Sequence, residues 1–429
     1  MSGTVAGWLL LVGAGLGLLW TLQAVRPVRF PSILAIPSFF MGWLANELAL
    51  HHLVWQLLAT GVLLRFDALE GWTGRIGLAL SVVQWIIAIG LIRFALDTPG
   101  VMEDALVAAL GADYRDDVPD DPAGWDEPRL LPVVLPSLVR HEDVRRIRDI
   151  TYARVRGTTL QLDLFLPRAE PTEPRPVVVY VHGGAWVLGF RDRQGLPILV
   201  EMARRGWVGV QISYGLSPRA RFPEHLHDVK RAIAWVRDHA DEYDLDPDMV
   251  AVVGGSAGGH LAALAALTSD RPDLQPGFED ADTSVQACVP FYGVYDAVGE
   301  LGVQDDDWRT FIGGTVIQAD PDEAPDVWRL FSPQTLIRPD APPFLVVHGL
   351  QDTLTSPQEA QTFASNLAAV SSEPVGFAGL PATQHAFDVF PSIRTSHVVL
   401  GMARFLAVVR TRAARRQTTG DTPRGRGDT

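Results

Sequence analysis

Residues 249–253 form a short apolar run that leads directly into Gly254-Gly255-Ser256-Ala257-Gly258-Gly259, and an Ala- and Leu-rich helical stretch follows from His260. A serine centred in Gly-x-Ser-x-Gly between a strand and a helix is forced into a strained turn, and the flanking glycines remove clashes that side chains would cause. Ser256 then projects from the carboxyl edge of a sheet, where open α/β folds bind ligands. Serine is a weak nucleophile unless a neighbouring base takes its proton, so the turn calls for a histidine oriented by a carboxylate.

The chain order expected on such a sheet is serine, acid, histidine. Residues 344–348 form a strand whose exit loop, Gly349-Leu350-Gln351-Asp352, brings Asp352 to the same edge. After the next strand, the loop 381–388 carries His385. Asp388 follows the histidine too closely to orient it, Asp296 follows an earlier strand, and His397 falls within a helical face. Ser256, Asp352 and His385 are therefore the expected nucleophile, acid and base.

Attack on an acyl carbonyl creates an oxyanion, which needs preorganised N–H donors. The strand 177–182 runs into His182-Gly183-Gly184-Ala185-Trp186, followed by Gly189. Gly184 and Ala185, with Ala257 after the nucleophile, are the expected donors, and Gly183 is a weaker candidate. Trp186, Phe190, Phe222, Tyr292 and Trp308 are the aromatic candidates for a substrate pocket.

These loops need a scaffold that brings several strand ends together. From residue 145 onward, β-rich runs at 177–182, 207–212, 249–253, 287–291, 344–348 and 375–378 alternate with helical patterns at 193–205, 223–240, 257–269, 357–370 and 392–410. An early strand at 161–166 precedes them. This alternation predicts a mostly parallel, doubly wound α/β sheet.

The region 145–410 resembles the α/β-hydrolase superfamily, specifically hormone-sensitive-lipase-like carboxylesterases and the membrane-anchored esterases of mycobacteria and related actinobacteria. The resemblance rests on His182 to Trp186, on Tyr214-Gly215-Leu216-Ser217-Pro218 with Phe222-Pro223 and Asp228, on Gly254 to Gly259, and on Asp352 and His385. It implies a serine carboxylesterase or lipase acting on a small-molecule or lipid ester through an acyl-enzyme, with no metal and no organic cofactor. Two positions depart from the usual pattern: Ala185 stands where many relatives carry a third glycine, and Gly255 stands where many carry an acidic residue. His-Gly-Gly-x-Trp is also similar to arylformamidases, so an amide hydrolase, arylformamidase or peptidase, is the alternative, with a non-catalytic binding domain behind it.

Composition sets the remaining bounds. The 429 residues carry a formal charge of -14, which argues against nucleic-acid partners because phosphate neutralisation needs a basic surface. A single cysteine, Cys288, excludes an intrachain disulfide. The mean hydropathy of +0.12 is high for a soluble chain, and the surplus lies before residue 97. Spans of about 5–25, 40–64 and 74–95 are long and apolar enough to make residues 1–96 a membrane anchor, with multi-pass placement in a bacterial plasma membrane. Glu47, His51 and His52 inside the middle run read as a polar contact between helices. Arg26 and Arg29 favour a cytoplasmic first loop; three spans then place the C-terminal domain inside, and two place it outside. Residues 97–144 read as an acidic, solvated linker and 411–429 as a basic disordered tail. No feature specifies an oligomeric state.

Overall fold

The computed structural model describes residues 1–28, 34–120, 124–125, 142–302 and 306–419. Arg29, the residues 126–141 of the expected linker and 420–429 of the expected tail lie outside the described residues.

Eight strands form one sheet in the order β1-β2-β4-β3-β5-β6-β7-β8. The strands are β1 (Val144–Val155), β2 (Thr158–Pro167), β3 (Arg175–Val181), β4 (Val208–Ile212), β5 (Leu245–Gly255), β6 (Ala287–Phe291), β7 (Phe344–Gly349) and β8 (Val375–Leu380). Pairing is antiparallel for β1–β2 and β2–β4 and parallel from β4 to β8. The parallel strands β3 and β4 are buried along their whole length, as Val-rich runs covered on both faces must be. Strand β1 escaped the sequence pattern because its arginines break the apolar alternation; it pairs only with β2, at the sheet edge.

From β3 the chain moves outward to β4, then returns to β5 and builds away in the other direction. The strand order therefore reverses between β3 and β5, and the loops at their carboxyl ends open a crevice at that switch point.

The N-terminal region contains α1 (Gly3–Val25), α2 (Ala35–Glu47), α3 (Ala49–Leu64) and α4 (Trp72–Leu96), with α5 (Thr98–Leu110) continuing from α4. Helix α1 and the stretch from Trp72 to Leu110 are long and apolar enough to cross a membrane. A Cβ on Gly77 would stand 2.7 Å from the Leu11 amide nitrogen, so α1 and α4 touch backbone to backbone there. Gln84 Nε2 also donates to the Ala14 carbonyl at 2.6 Å. The middle apolar run is not one straight span: α2 and α3 meet at Leu48 with an 85° bend.

Further helices flank the sheet: α6 (Leu196–Arg204), α7 (Glu224–Asp238), α8 (Ala257–Leu267), α9 (Pro357–Val370) and α10 (Ile393–Thr419). One face packs against α7, α8 and α9, the other against α5, α6 and α10. Helix α5 corrects the linker expectation. Met102, Leu106 and Leu110 are buried against the sheet and α10, because the apolar positions of 101–110 recur at helical spacing among the acidic residues. Each such side chain contributes about 1.5–3 kcal/mol on burial, which ties this segment to the domain. The tail expectation changes likewise: α10 stays helical to Thr419, with Arg412 Nε donating to Asp117 at 2.7 Å and Arg416 paired with Glu373 at 2.6 Å.

Candidate active site

Ser256 sits between β5 and α8 with φ 58° and ψ -123°, a sparsely populated conformation that costs about 1–3 kcal/mol. Close packing enforces it. A Cβ on Gly258 would fall 2.0 Å from the Val181 carbonyl oxygen, and one on Gly254 would fall 2.3 Å from the Gly258 carbonyl oxygen. The Ser256 amide donates to the Phe291 carbonyl at 2.9 Å, fixing the turn to the next strand. The residue is half-buried, so its hydroxyl borders the crevice.

The second loop of the crevice follows β3. Gly184 has φ 131°, and Ala185 and Trp186 have φ 51° and 60°. This left-handed run turns successive peptide groups inward. Among the described residues, the amides of Gly184, Ala185 and Ala257 donate to no protein acceptor, whereas the Gly183 amide is taken by Gln194 Oε1 at 2.8 Å. Gly183 thereby has its amide occupied, unlike the other three expected donors. Its role is close approach, since a Cβ there would stand 3.0 Å from the Ser256 Cβ and 2.6 Å from the Gly255 carbonyl oxygen. His182 beneath the loop is buried, which pushes its imidazole down to about 4, and it stacks on Tyr214 at 4.4 Å. It is a neutral packing residue.

Asp352 and His385 meet across the ends of β7 and β8, with His385 Nδ1 2.7 Å from Asp352 Oδ2. Both are buried. Burial pushes the Asp352 carboxyl up, but the adjacent His385 charge and bonds from His348 and His385 outweigh it and hold the group well below the usual carboxylate range. The carboxylate is further fixed by the Leu354 amide (2.8 Å), the Thr355 amide (3.0 Å), Thr355 Oγ1 (2.9 Å) and His348 Nε2 (3.2 Å). With Nδ1 committed to Asp352, His385 Nε2 makes no hydrogen bond among the described residues.

Tyr292 links the two halves of the site. Its ring lies 4.5 Å from the His385 ring, and a Cβ on Gly255, next to Ser256, would stand 2.7 Å from its hydroxyl. This contact explains a glycine before Ser256. The Tyr292 hydroxyl donates to Asp388, whose carboxyl burial pushes up to about 6. Asp388 therefore supports Tyr292 rather than the histidine. Asp296 caps its own loop by accepting from the amides of Gly299 (2.9 Å) and Leu301 (2.7 Å). His397 lies half-buried on α10.

Sequence reasoning missed Thr355, His348, Gln194 and Gln384. Gln384 Oε1 accepts from the amides of both His385 and Thr353 at 2.9 Å, joining the two loops. Single polar residues of this kind carry no spacing signal. Of the aromatic pocket candidates, Trp186 and Phe222 are core residues packed on Phe331, at 5.1 Å and 4.9 Å, and Tyr292 is buried as described. Phe190 is 71% exposed, and its neighbour Leu188 is 61% exposed. Trp308 is partly buried against the edge of the core. Among the described residues, no group of three or more His, Cys, Asp or Glu is placed to hold a metal ion.

The parallel sheet, the strained serine turn and the acid and histidine on successive strand ends define an α/β-hydrolase. The BD-FAE family model matches residues 162–367. The chain is 38% identical over 401 residues to the probable carboxylic ester hydrolase LipM of Mycobacterium tuberculosis, covering 91% of this chain and 90% of that protein. It is 40% identical over 290 residues to esterase LipC of the same organism, covering 67% and 71%. The solved structure of Thermogutta terrifontis esterase 2 phosphonylated by sarin shares the fold with a TM-score of 0.52 and 24% identity, over 62% of this chain and 95% of that one.

The chain belongs to this family of α/β-hydrolase carboxylic ester hydrolases. It is a hydrolase similar over nearly its whole length to LipM, and the matched relatives do not favour an amide hydrolase or a non-catalytic binding domain.

Proposed function

We propose that this ester hydrolase is anchored in a membrane by its N-terminal helices and cleaves acyl esters through a Ser256-His385-Asp352 triad. The observation that carries the reading is the 2.7 Å contact between His385 Nδ1 and Asp352 Oδ2, on a sheet whose β5–α8 turn holds Ser256 at φ 58°. In the first half-reaction, Ser256 Oγ bonds to the ester carbonyl carbon while His385 Nε2 takes its proton, and the carbonyl electron pair moves to oxygen. The amides of Gly184, Ala185 and Ala257 hold that oxyanion; one such donor is worth about 3 kcal/mol of barrier. Collapse breaks the bond to the alcohol oxygen, which leaves with the proton from His385.

Water then attacks the acyl-enzyme, giving its proton to His385. Collapse returns that proton to Ser256 Oγ and releases the acid. Asp352 stays ionised throughout, orienting the imidazole and stabilising its charged form. Membrane anchoring is supported by the two helices long and apolar enough to cross a bilayer. Hydrolysis of short p-nitrophenyl esters by the full chain in detergent tests the reading, with Ser256→Ala expected to lose nearly all activity and wild-type rates in that variant overturning it.

A further inference from the structure

The helix that breaks the middle apolar run does not stand apart from the hydrolase. Phe39 of α2 is 7% exposed and meets the His385 ring edge-on at 6.3 Å and 71°. One turn on, Trp43 stacks on Phe39 at 5.8 Å and on Phe390 at 4.7 Å, and its Nε1 donates to the Ala386 carbonyl at 2.9 Å. Ala386 adjoins the histidine and has φ 57°, so Trp43 ties down a left-handed residue in the loop that aims the imidazole. At the end of α2, Glu47 forms a fully buried ion pair with Arg394 and accepts from Ser392 Oγ at 2.5 Å. Glu47 thus finds its partner on the hydrolase domain, not on another apolar helix.

The other side of α2 is fastened to α1. Ser38 Oγ donates to Gln23 Oε1 at 2.7 Å, and a Cβ on Gly42 would stand 2.7 Å from the Gln23 carbonyl oxygen. One short helix therefore joins a helix able to cross a membrane to the histidine loop. Phe40, with its ring 5.0 Å from that of Phe39, is 50% exposed, Ile36 on the same helix is 52% exposed, and Leu188 and Phe190 in the loop after β3 are exposed as well. Large apolar side chains left open beside a reaction centre fit an apolar substrate or a lipid phase better than water.

We propose that α2 is a built part of the active site: Phe39 and Trp43 position His385, and the apolar surface beside them admits an acyl ester held in a lipid phase. The inference rests on the triad reading above. Its two elements share a cause, because a helix seated on both α1 and the histidine loop places the catalytic base at the lipid boundary.

The test uses the full chain in phosphatidylcholine nanodiscs with two substrates, p-nitrophenyl butyrate in the aqueous phase and p-nitrophenyl palmitate dissolved in the bilayer. The wild type is expected to favour the bilayer-borne ester at least tenfold in kcat/KM. Trp43→Phe, which loses only the N–H donor and some ring area, and Phe39→Ala are expected to lower kcat tenfold or more on both esters with little change in KM. Both should also move the acid limb of the pH profile, and Phe39→Leu should recover most of the rate. Wild-type kcat and pH profile in Trp43→Phe and Phe39→Ala overturn the inference, as does a wild type indifferent to where the ester resides. Should Phe39→Ala fail to fold, Trp43→Phe decides. Loss of activity in His385→Ala beside unaffected α2 variants removes this inference alone, whereas retained activity in His385→Ala removes the triad reading and this inference together.

Discussion

His385 Nδ1 lies 2.7 Å from Asp352 Oδ2, on an oxygen that also accepts from Thr355 Oγ1 at 2.9 Å. The hydroxyl bond restrains the carboxylate in the orientation that meets the imidazole. Asp352→Asn is expected to cut kcat by roughly 10³-fold or more, because an amide no longer selects the tautomer with its proton on Nδ1. Thr355→Val should cost about 10–150-fold with KM little changed, in line with the loss of one hydrogen bond to a charged group. Steady-state kinetics on a p-nitrophenyl ester separate the two effects.

Asp388 offers a test by pH. Its carboxyl is raised by burial to about 6 from 3.8. A raised folded-state value means the stabilising contribution is fully present below pH 3.8 and is lost as pH rises through about 6. The shift corresponds to a contribution on the order of 3 kcal/mol. Asp388→Asn keeps an acceptor for the Tyr292 hydroxyl and removes the titration, so its Tm should gain on the wild type between pH 4 and pH 7. Parallel thermal melts across that range check the expectation, and curves that stay equally spaced contradict it.

The proposed oxyanion role of the loop after β3 leads to a steep contrast between one of its glycines and one in α1. A Cβ on Gly184 would fall 1.9 Å from the Leu188 carbonyl oxygen, at a residue with φ 131°, so Gly184→Ala should lose 100-fold or more in kcat as the amides are displaced. Gly13, in the middle of α1, has no atom within 4 Å of the same position. Gly13→Ala should leave the rate unchanged.

Leu106 is fully buried between the sheet and α10. Leu106→Ala is expected to destabilise the domain by about 2–5 kcal/mol. Urea unfolding followed by tryptophan fluorescence measures this, and an unchanged midpoint would mean that α5 is dispensable. A fragment beginning at residue 145 lacks this helix as well as α2, so it should be both less stable and less active than the full chain.

The central sheet, the Ser256 turn and the Asp352–His385 contact could be read from the sequence because their signals are local. Glycines flanking Ser256 answer to a turn that admits no side chain, and Asp352 and His385 follow short apolar runs, Phe344–Gly349 and Val375–Leu380, bounded by turn residues. What escaped reading depends on contacts between distant segments. Gly183 is in sequence only the weaker donor candidate, and nothing in its surroundings announces that Gln194 takes its amide. Glu47 looked like an interhelical contact because nothing near it in sequence points to Arg394, 347 residues away. Helix α5 was hidden by its own acidic residues, which lower its average hydropathy although Met102, Leu106 and Leu110 share one buried face.

The central claim is that Ser256 is the nucleophile, and trapping it with a fluorophosphonate tests this most directly. The full chain should gain one phosphonyl group, mapped by mass spectrometry to the peptide containing Ser256, in step with loss of esterase activity. Ser256→Ala should take up no label and fall by about 10³-fold or more in kcat. Label on another residue, or an alanine variant with wild-type turnover, would contradict the account.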